Sequence, residues 1–166
     1  SPHTPPSGGA QLHFAAACVD AERGQHNRLL SVRPTQLVSA GWTARDAAAV
    51  QHHIDELALL GVAPPSSVPL YYRNSASLLT QSPELQTLGE NSSGEAEPML
   101  FRAEGQWWLT VGSDHTDRTV EAYSVAVSKQ MCPKPVASTA WRWSDVSGHQ
   151  DALQLCSRIL ENGNWV

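Results

Sequence analysis

The chain has few of the residues that nucleic-acid binding or membrane insertion requires. Only 16% of its 166 residues are charged, and 11 basic side chains stand against 16 acidic ones. A net charge of -5 leaves no basic surface for phosphates, so we expect no nucleic-acid partner. The apolar runs fall far short of the roughly 20 residues that span a bilayer, and no signal segment opens the sequence. We therefore expect no membrane association and a cytoplasmic location.

Cysteine is also scarce. Cys18, Cys132 and Cys156 are widely spaced, and none forms the Cys-x-x-Cys pair typical of zinc or redox sites. We expect idle or buried thiols. Residues 1–10 are rich in proline, glycine and serine, which predicts a flexible tail. The 41% apolar content suits one packed domain, which we place at residues 11–166.

Local patterns predict a β-rich α+β fold with one main helix. The predicted strands and hairpins cover residues 12–19 and 29–32 around a turn at 23–25, then 68–73, 95–112 with a turn at 103–105, 123–127 and 153–160. The helix covers residues 43–60, with a capping residue at Thr43 and a stop at Gly61. Its predicted buried stripe contains Ala47, Val50, Ile54 and Leu57.

Two histidines on this helix differ in their predicted environment. His53 lies at the edge of the apolar stripe, and Glu56 follows at the spacing that lets a carboxylate orient an imidazole. His52 also reaches Glu56 but points towards solvent. The pair His53 and Glu56 is thus a candidate general base, although exposed His-Glu pairs are common on helices.

The predicted hairpin brings three carboxylates together. With the turn at Glu104, Glu95 lies near Asp114 and Glu97 lies near Val111, and both glutamates share one face of the strand. Like charges this close either remain fully solvated or share a cation. An all-oxygen cluster favours magnesium, manganese or calcium over zinc or copper.

Several segments resemble, in the same order along the chain, motifs of the fumarylacetoacetate hydrolase superfamily. The resemblance covers about residues 45–166. Its segments are His53-Ile54-Asp55-Glu56, Val68-Pro69-Leu70-Tyr71-Tyr72-Arg73, Glu95-Ala96-Glu97, Ser113-Asp114-His115-Thr116-Asp117-Arg118, Cys132-Pro133-Lys134-Pro135 and Asn162-Gly163. It implies a mixed β-roll and a divalent-metal-dependent hydrolase or lyase. The substrate would be a small 1,3-dicarbonyl or 2-oxo acid.

The resemblance also assigns ligands and a base. Glu95, Glu97 and Asp114 would bind the metal, with Mg²⁺ as the expected ion and Mn²⁺ or Ca²⁺ as alternatives. His53, oriented by Glu56, would deprotonate the attacking water. Family members commonly form homodimers, and we expect the same here.

Three basic residues are candidates for substrate binding or catalysis, and each of them is less firmly assigned than the metal ligands. Lys129 would stabilise a developing enolate, and Arg118 would bind a substrate carboxylate or brace the metal loop. For both, a structural salt bridge is an equally good reading. Arg73 is a weaker candidate for substrate binding.

Some positions depart from the family pattern. Arg73 replaces a lysine, Glu121 replaces a glutamine, and Lys134 stands in a shortened proline motif. These departures predict a divergent branch with altered substrate contacts. The family would continue for several strands beyond Val166, so we expect either a truncated or proteolysed chain or a branch that lacks its last strands. These departures leave a second hypothesis, a non-catalytic metal-binding or ligand-binding module on the same fold.

Overall fold

The computed structural model of the protein describes residues 10–166, so the predicted tail lies almost wholly outside the described residues. The strands are β1 (Leu12–Asp20), β2 (Gly24–Val32), β3 (Leu37–Gly41), β4 (Leu70–Asn74), β5 (Leu79–Thr80), β6 (Ser92–Ser93), β7 (Ala96–Ala103), β8 (Gln106–Ser113), β9 (Thr116–Asp117), β10 (Lys134–Pro135), β11 (Thr139–Arg142), β12 (Leu160–Glu161) and β13 (Asn164–Trp165). The α-helices are α1 (Ala47–Leu59), α2 (Arg118–Glu121), α3 (Val125–Gln130) and α4 (Trp143–Val146). Short 3₁₀ turns cover Ala76–Leu78 and Ser147–Ala152. The β-rich α+β prediction is confirmed.

A five-stranded mixed sheet of order β2-β1-β11-β8-β7 carries most of the strand residues. Strand β11 runs parallel to β1 and antiparallel to β8, and the two outer pairs are antiparallel. The described residues also form four two-stranded ladders: β3 with β4, β5 with β10, β6 with β9 and β12 with β13. Strand β7 is an outer strand of the main sheet.

The main core lies against one face of this sheet. Alternation along the strands buries every second side chain there, including Phe14, Leu30, Trp108 and Ala140. Phe14 stacks on Phe101 with ring centroids 4.7 Å apart. The opposite face leaves apolar side chains such as Leu29 exposed.

Helix α1 packs through a narrower stripe than the sequence predicts. Val50 is buried, while Ile54 and Leu57 are partly buried against the ladder of β3 and β4. Asp46, not Thr43, caps the helix, accepting a hydrogen bond from the backbone N–H of Ala48. The helix therefore begins later than predicted. Its first residue, Ala47, is exposed because the first turn lies beyond the packed surface.

Three other local predictions are wrong. The first hairpin turns at residues 21–23, before Gly24, because β2 already begins there. Residues 123–127 lead into helix α3 instead of forming a strand, because the Ser124 hydroxyl caps the helix by accepting a hydrogen bond from the backbone N–H of Val127. Of residues 153–160, only Leu160 lies in a strand.

Two further findings bear on expectations from composition. Within residues 10–166, every helix is too short or too polar to cross a bilayer. All three cysteines are free, with Cys18 and Cys132 buried and Cys156 exposed.

Candidate metal centre

A tight hairpin between β7 and β8 sets the position of the glutamates. Glu104 and Gly105 form its turn with φ values of 51° and 76°, the left-handed pair that a type I′ turn requires. The resulting register pairs Glu97 with Gly112, one residue away from the predicted Val111. The backbone N–H of Asp114 donates to the carbonyl of Glu95 over 2.9 Å, so these two residues remain side by side.

The structure brings the three predicted metal ligands together. One carboxylate oxygen each from Glu95, Glu97 and Asp114 lies within 4.8 Å of the others. Among the described residues, the Glu97 carboxylate has no hydrogen bond and no ion pair. Burial, with the negative charges of Asp114 and Glu95, raises the pKa of Glu97 to about 7.

Asp114 is held by two buried lysines. Lys129 Nζ lies 2.7 Å from Asp114 Oδ2, and Lys134 Nζ lies 2.6 Å from Asp114 Oδ1. Lys134 also donates a short hydrogen bond to the backbone carbonyl of His115. Burial alone would raise the pKa of Asp114, but the two ammonium groups outweigh it and hold that pKa below its usual range. Both oxygens of this carboxylate therefore have a cationic neighbour.

Arg118 occupies a bracing position. Its guanidinium bridges Glu95 Oε1 at 2.6 Å and Glu121 Oε2 at 3.1 Å. The backbone N–H of Arg118 donates to the carbonyl of Asn91, and β6 pairs with β9 in the same region. Of the two roles expected for Arg118, this geometry matches the brace.

The predicted base has looser geometry. His53 Nδ1 lies 4.0 Å from Glu56 Oε2, whereas His52 Nε2 lies closer, 3.2 Å from Glu56 Oε1. The His53 side chain is 57% exposed and its ring centroid lies 5.7 Å from that of Trp42. His52 is 76% exposed, in agreement with its predicted position towards solvent. In this arrangement Glu56 contacts His52 more closely than His53.

A polar cavity of about 200 Å³ joins the helix to the carboxylates. His53, Glu95, Glu97 and Lys129 line it together with Trp42, Tyr72 and Glu121. We call it the polar pocket. Arg73 lies apart from it: this residue is exposed and, by alternation along β4, projects to the opposite side from Tyr72.

Sequence reasoning missed two features of this site. The sequence analysis identified Lys134 only as a departure from a motif. A signal was present, because a lysine between two prolines in an apolar stretch requires an anionic partner if the fold buries it. The second feature is the wall formed by Trp42, which has a φ of 61° and whose Nε1 donates to the Tyr72 hydroxyl over 3.0 Å. Spacing within one segment does not reveal this contact between residues 30 positions apart.

The donor set fits a hard divalent cation. All three groups supply carboxylate oxygens, which magnesium, manganese and calcium prefer. Among the described residues, Glu97 has no cationic partner within hydrogen-bonding distance. Its pKa is raised first by burial and then by the charges of Asp114 and Glu95, and a bound cation would offset both effects. Asp114 has less free capacity because Lys129 and Lys134 already contact it.

Comparison with models of known protein families identifies a family for this chain. A family model described as "Protein of unknown function (DUF2848)" matches residues 40–166, which include every residue of the carboxylate cluster and of the polar pocket. Neither the curated proteins nor the solved structures contain a match to the chain. The chain belongs to the DUF2848 family.

Proposed function

We propose that this protein is a divalent-metal-dependent hydrolase or lyase of the fumarylacetoacetate hydrolase type. It would act on a small 1,3-dicarbonyl or 2-oxo acid, with Mg²⁺ bound by Glu95, Glu97 and Asp114. The observation that carries the proposal is the close approach of three carboxylates, one of them without a cationic partner among the described residues. When bound, the cation would supply Lewis-acid polarisation of the substrate oxygens.

We assign proposed roles to three further residues in or beside the polar pocket. Lys129 is an ammonium group at the pocket wall, and it would donate a hydrogen bond to the oxygen that gains negative charge as a carbon-carbon bond breaks. His53 presents Nδ1 towards Glu56, which leaves Nε2 to accept a proton from the attacking water. Arg118 holds Glu95 in place.

A two-part experiment tests this proposal. Calorimetry would first measure Mg²⁺ binding to the full chain and to Asp114→Ala and Glu97→Gln, and we expect both substitutions to weaken binding strongly. Turnover of acetylpyruvate and oxaloacetate would then be measured with and without Mg²⁺. Unchanged Mg²⁺ affinity in a folded Asp114→Ala variant would remove this site from the proposal.

A second candidate function is a metal-binding or ligand-binding module without turnover. The observation that favours it is the exposed position of His53, whose distance to Glu56 is at the limit of an ion pair. The discriminating result is simple: bound Mg²⁺ with no Mg²⁺-dependent turnover of any oxo acid supports the module over the enzyme.

The same proposal extends to the fold and the assembly. We infer that the chain folds as a fumarylacetoacetate hydrolase-like β-roll. We also infer that it forms a homodimer and that it is located in the cytoplasm. The mixed sheet and the two-stranded ladders support the first part. Sedimentation of the purified chain would test the second part, and a monomer at micromolar concentration would contradict it.

A further inference from the structure

A second cavity, about 470 Å³ in volume, lies along β7, the outer strand of the main sheet. We call it the apolar groove. It runs between β7 and the segment that leads into β3, and its wall contains the side chains of Phe14, Leu37, Leu79, Met99 and Phe101. Its volume falls in the range typical of small-molecule sites, whereas the polar pocket is smaller than that range.

The apolar groove ends at the carboxylate cluster. Glu97, Asp114 and Lys134 line this end, and Glu97 also lines the polar pocket. The hairpin pairs Glu97 with Gly112, and because glycine has no side chain, this partner places no side chain beside the Glu97 carboxylate. The two cavities therefore meet at one side chain of the proposed metal site.

Charge is distributed unevenly along the groove. The end at the cluster holds Lys134, whose side chain is only 2% exposed, beside two carboxylates. Apolar side chains follow along the core face, and the exposed Arg33 and Arg102 also line the groove. A ligand that fits this arrangement has one polar, metal-chelating end and a longer apolar portion.

We propose that the apolar groove binds the tail of the substrate, so that the preferred substrate is an oxo acid with a hydrocarbon tail of several carbons. This inference rests on the proposed function, because the polar end of the ligand is taken to lie at Glu95, Glu97 and Asp114. The short oxo acids would fill only the polar pocket. Each methylene that enters the groove should tighten binding about fourfold until the groove is filled.

The test uses the full chain, Mg²⁺ and unbranched 2-oxo acids of increasing length. Calorimetry would give the Kd for oxalate, pyruvate, 2-oxobutanoate, 2-oxohexanoate and 2-oxooctanoate. We expect oxalate and pyruvate to bind only with Mg²⁺, and the Kd to fall steadily from pyruvate to 2-oxooctanoate. If oxalate binds but the Kd of the 2-oxo acids does not change with chain length, the tail site is overturned and the proposed function is retained.

Other results separate the remaining possibilities. If no oxo acid and no oxalate binds in the presence of Mg²⁺, the proposed function itself fails. A diacid of the same length that binds more tightly than 2-oxooctanoate would show that Arg33 and Arg102 select a second carboxylate, which overturns the apolar assignment. Strong length dependence without Mg²⁺ would show that the groove binds tails independently of the cluster, and this also overturns the proposal.

A matched pair of variants locates the tail. Met99→Gln places an amide on the groove wall with little change in length, whereas Leu29→Gln makes the same kind of change on the exposed face of the sheet. We expect Met99→Gln to weaken 2-oxooctanoate binding by about fivefold or more while pyruvate binding is unchanged. Leu29→Gln should bind both as the parent protein does. Equal losses in the two variants would place the tail outside the groove.

Discussion

Glu97 differs from the neighbouring acidic residues in how its charge is balanced. Glu95 contacts Arg118, and Asp114 contacts Lys129 and Lys134. Glu97 has no such contact among the described residues, and its pKa of about 7 lies above the ordinary value of 4.5. Because the folded state holds the proton more tightly than the unfolded chain, ionisation of Glu97 costs stability as pH rises through this interval.

The first prediction follows from this cost. At about pH 8 and without metal, Glu97→Gln should melt at a higher temperature than the parent protein, because the variant lacks a charge that is buried and is repelled by Asp114 and Glu95. Added Mg²⁺ should raise the melting temperature of the parent protein and leave that of Glu97→Gln nearly unchanged. Asp114→Asn is the control, and it should melt lower because it removes the anion that Lys134 contacts and leaves Lys129 with only the more distant Glu95 carboxylate, 3.8 Å away. A lower melting temperature for metal-free Glu97→Gln would contradict the assignment.

The second prediction concerns pH and metal affinity. Mg²⁺ competes with the proton of Glu97, so below about pH 7 the affinity should rise close to tenfold per pH unit and then level off. Calorimetry in buffers of different ionisation enthalpy would measure the proton released on binding. Affinity that does not change between pH 5.5 and 7 would exclude Glu97 as a ligand.

The third prediction compares the two helix histidines. If His53 accepts the proton from water, His53→Ala should lower turnover by roughly 10²-fold while Mg²⁺ affinity stays nearly constant. His52→Ala removes the closer partner of Glu56 but points to solvent, so it should change turnover little. Equal losses in both variants, or no loss in His53→Ala, would remove this base from the mechanism.

At the scale of elements, the packing of helix α1 relies mainly on a single buried side chain, whereas the sequence predicts a stripe of four. Val50 is its one buried residue, and it packs in a small cluster with Trp42 and Val62. The fourth prediction is that Val50→Asp unfolds this part of the protein, because an unpaired buried charge costs several kcal/mol. Chemical denaturation would measure the loss.

Ala47 supplies the control for this substitution. It is exposed in the first helical turn, so Ala47→Asp should leave stability unchanged or raise it slightly by interaction with the helix dipole. A large loss of stability in Ala47→Asp would mean that the first turn is packed, as the apolar periodicity alone indicates.

Elements with a strong local signal were the ones that sequence could predict. The Glu104-Gly105 turn and the apolar strands on either side of it specify the hairpin, apart from one step of register. Residues 123–127 carry no such signal, because an alternation over a few residues fits a strand and a short capped helix equally well. The stop at Gly61 agrees with the observed helix end, but the start was uncertain because Thr43 and Asp46 are both good caps.

At the scale of the whole molecule, the sequence indicated the site better than it indicated the surroundings of the site. Glu95, Glu97 and Asp114 are brought together by one hairpin, so their proximity follows from local pairing. The contact of Lys134 with Asp114 needs β10 to return beside the end of β8, and the polar pocket needs β4 to approach α3. Such long-range arrangements are not encoded in the spacing of any one segment.

The position of Pro98 on strand β7 has a consequence for solution behaviour. The two-residue turn makes Ala103 and Gln106 a hydrogen-bonded pair, so alternation places the Pro98 nitrogen on the free edge of the sheet. An approaching strand would find no donor there, and proline on an edge is a known barrier to such pairing. The fifth prediction is therefore that Pro98→Thr leaves the fold intact but shortens the lag before fibrillar aggregates form, as thioflavin fluorescence would record. An unchanged lag would mean that other features of β7 protect this edge. Resistance to aggregation would then not depend on the imide nitrogen of Pro98.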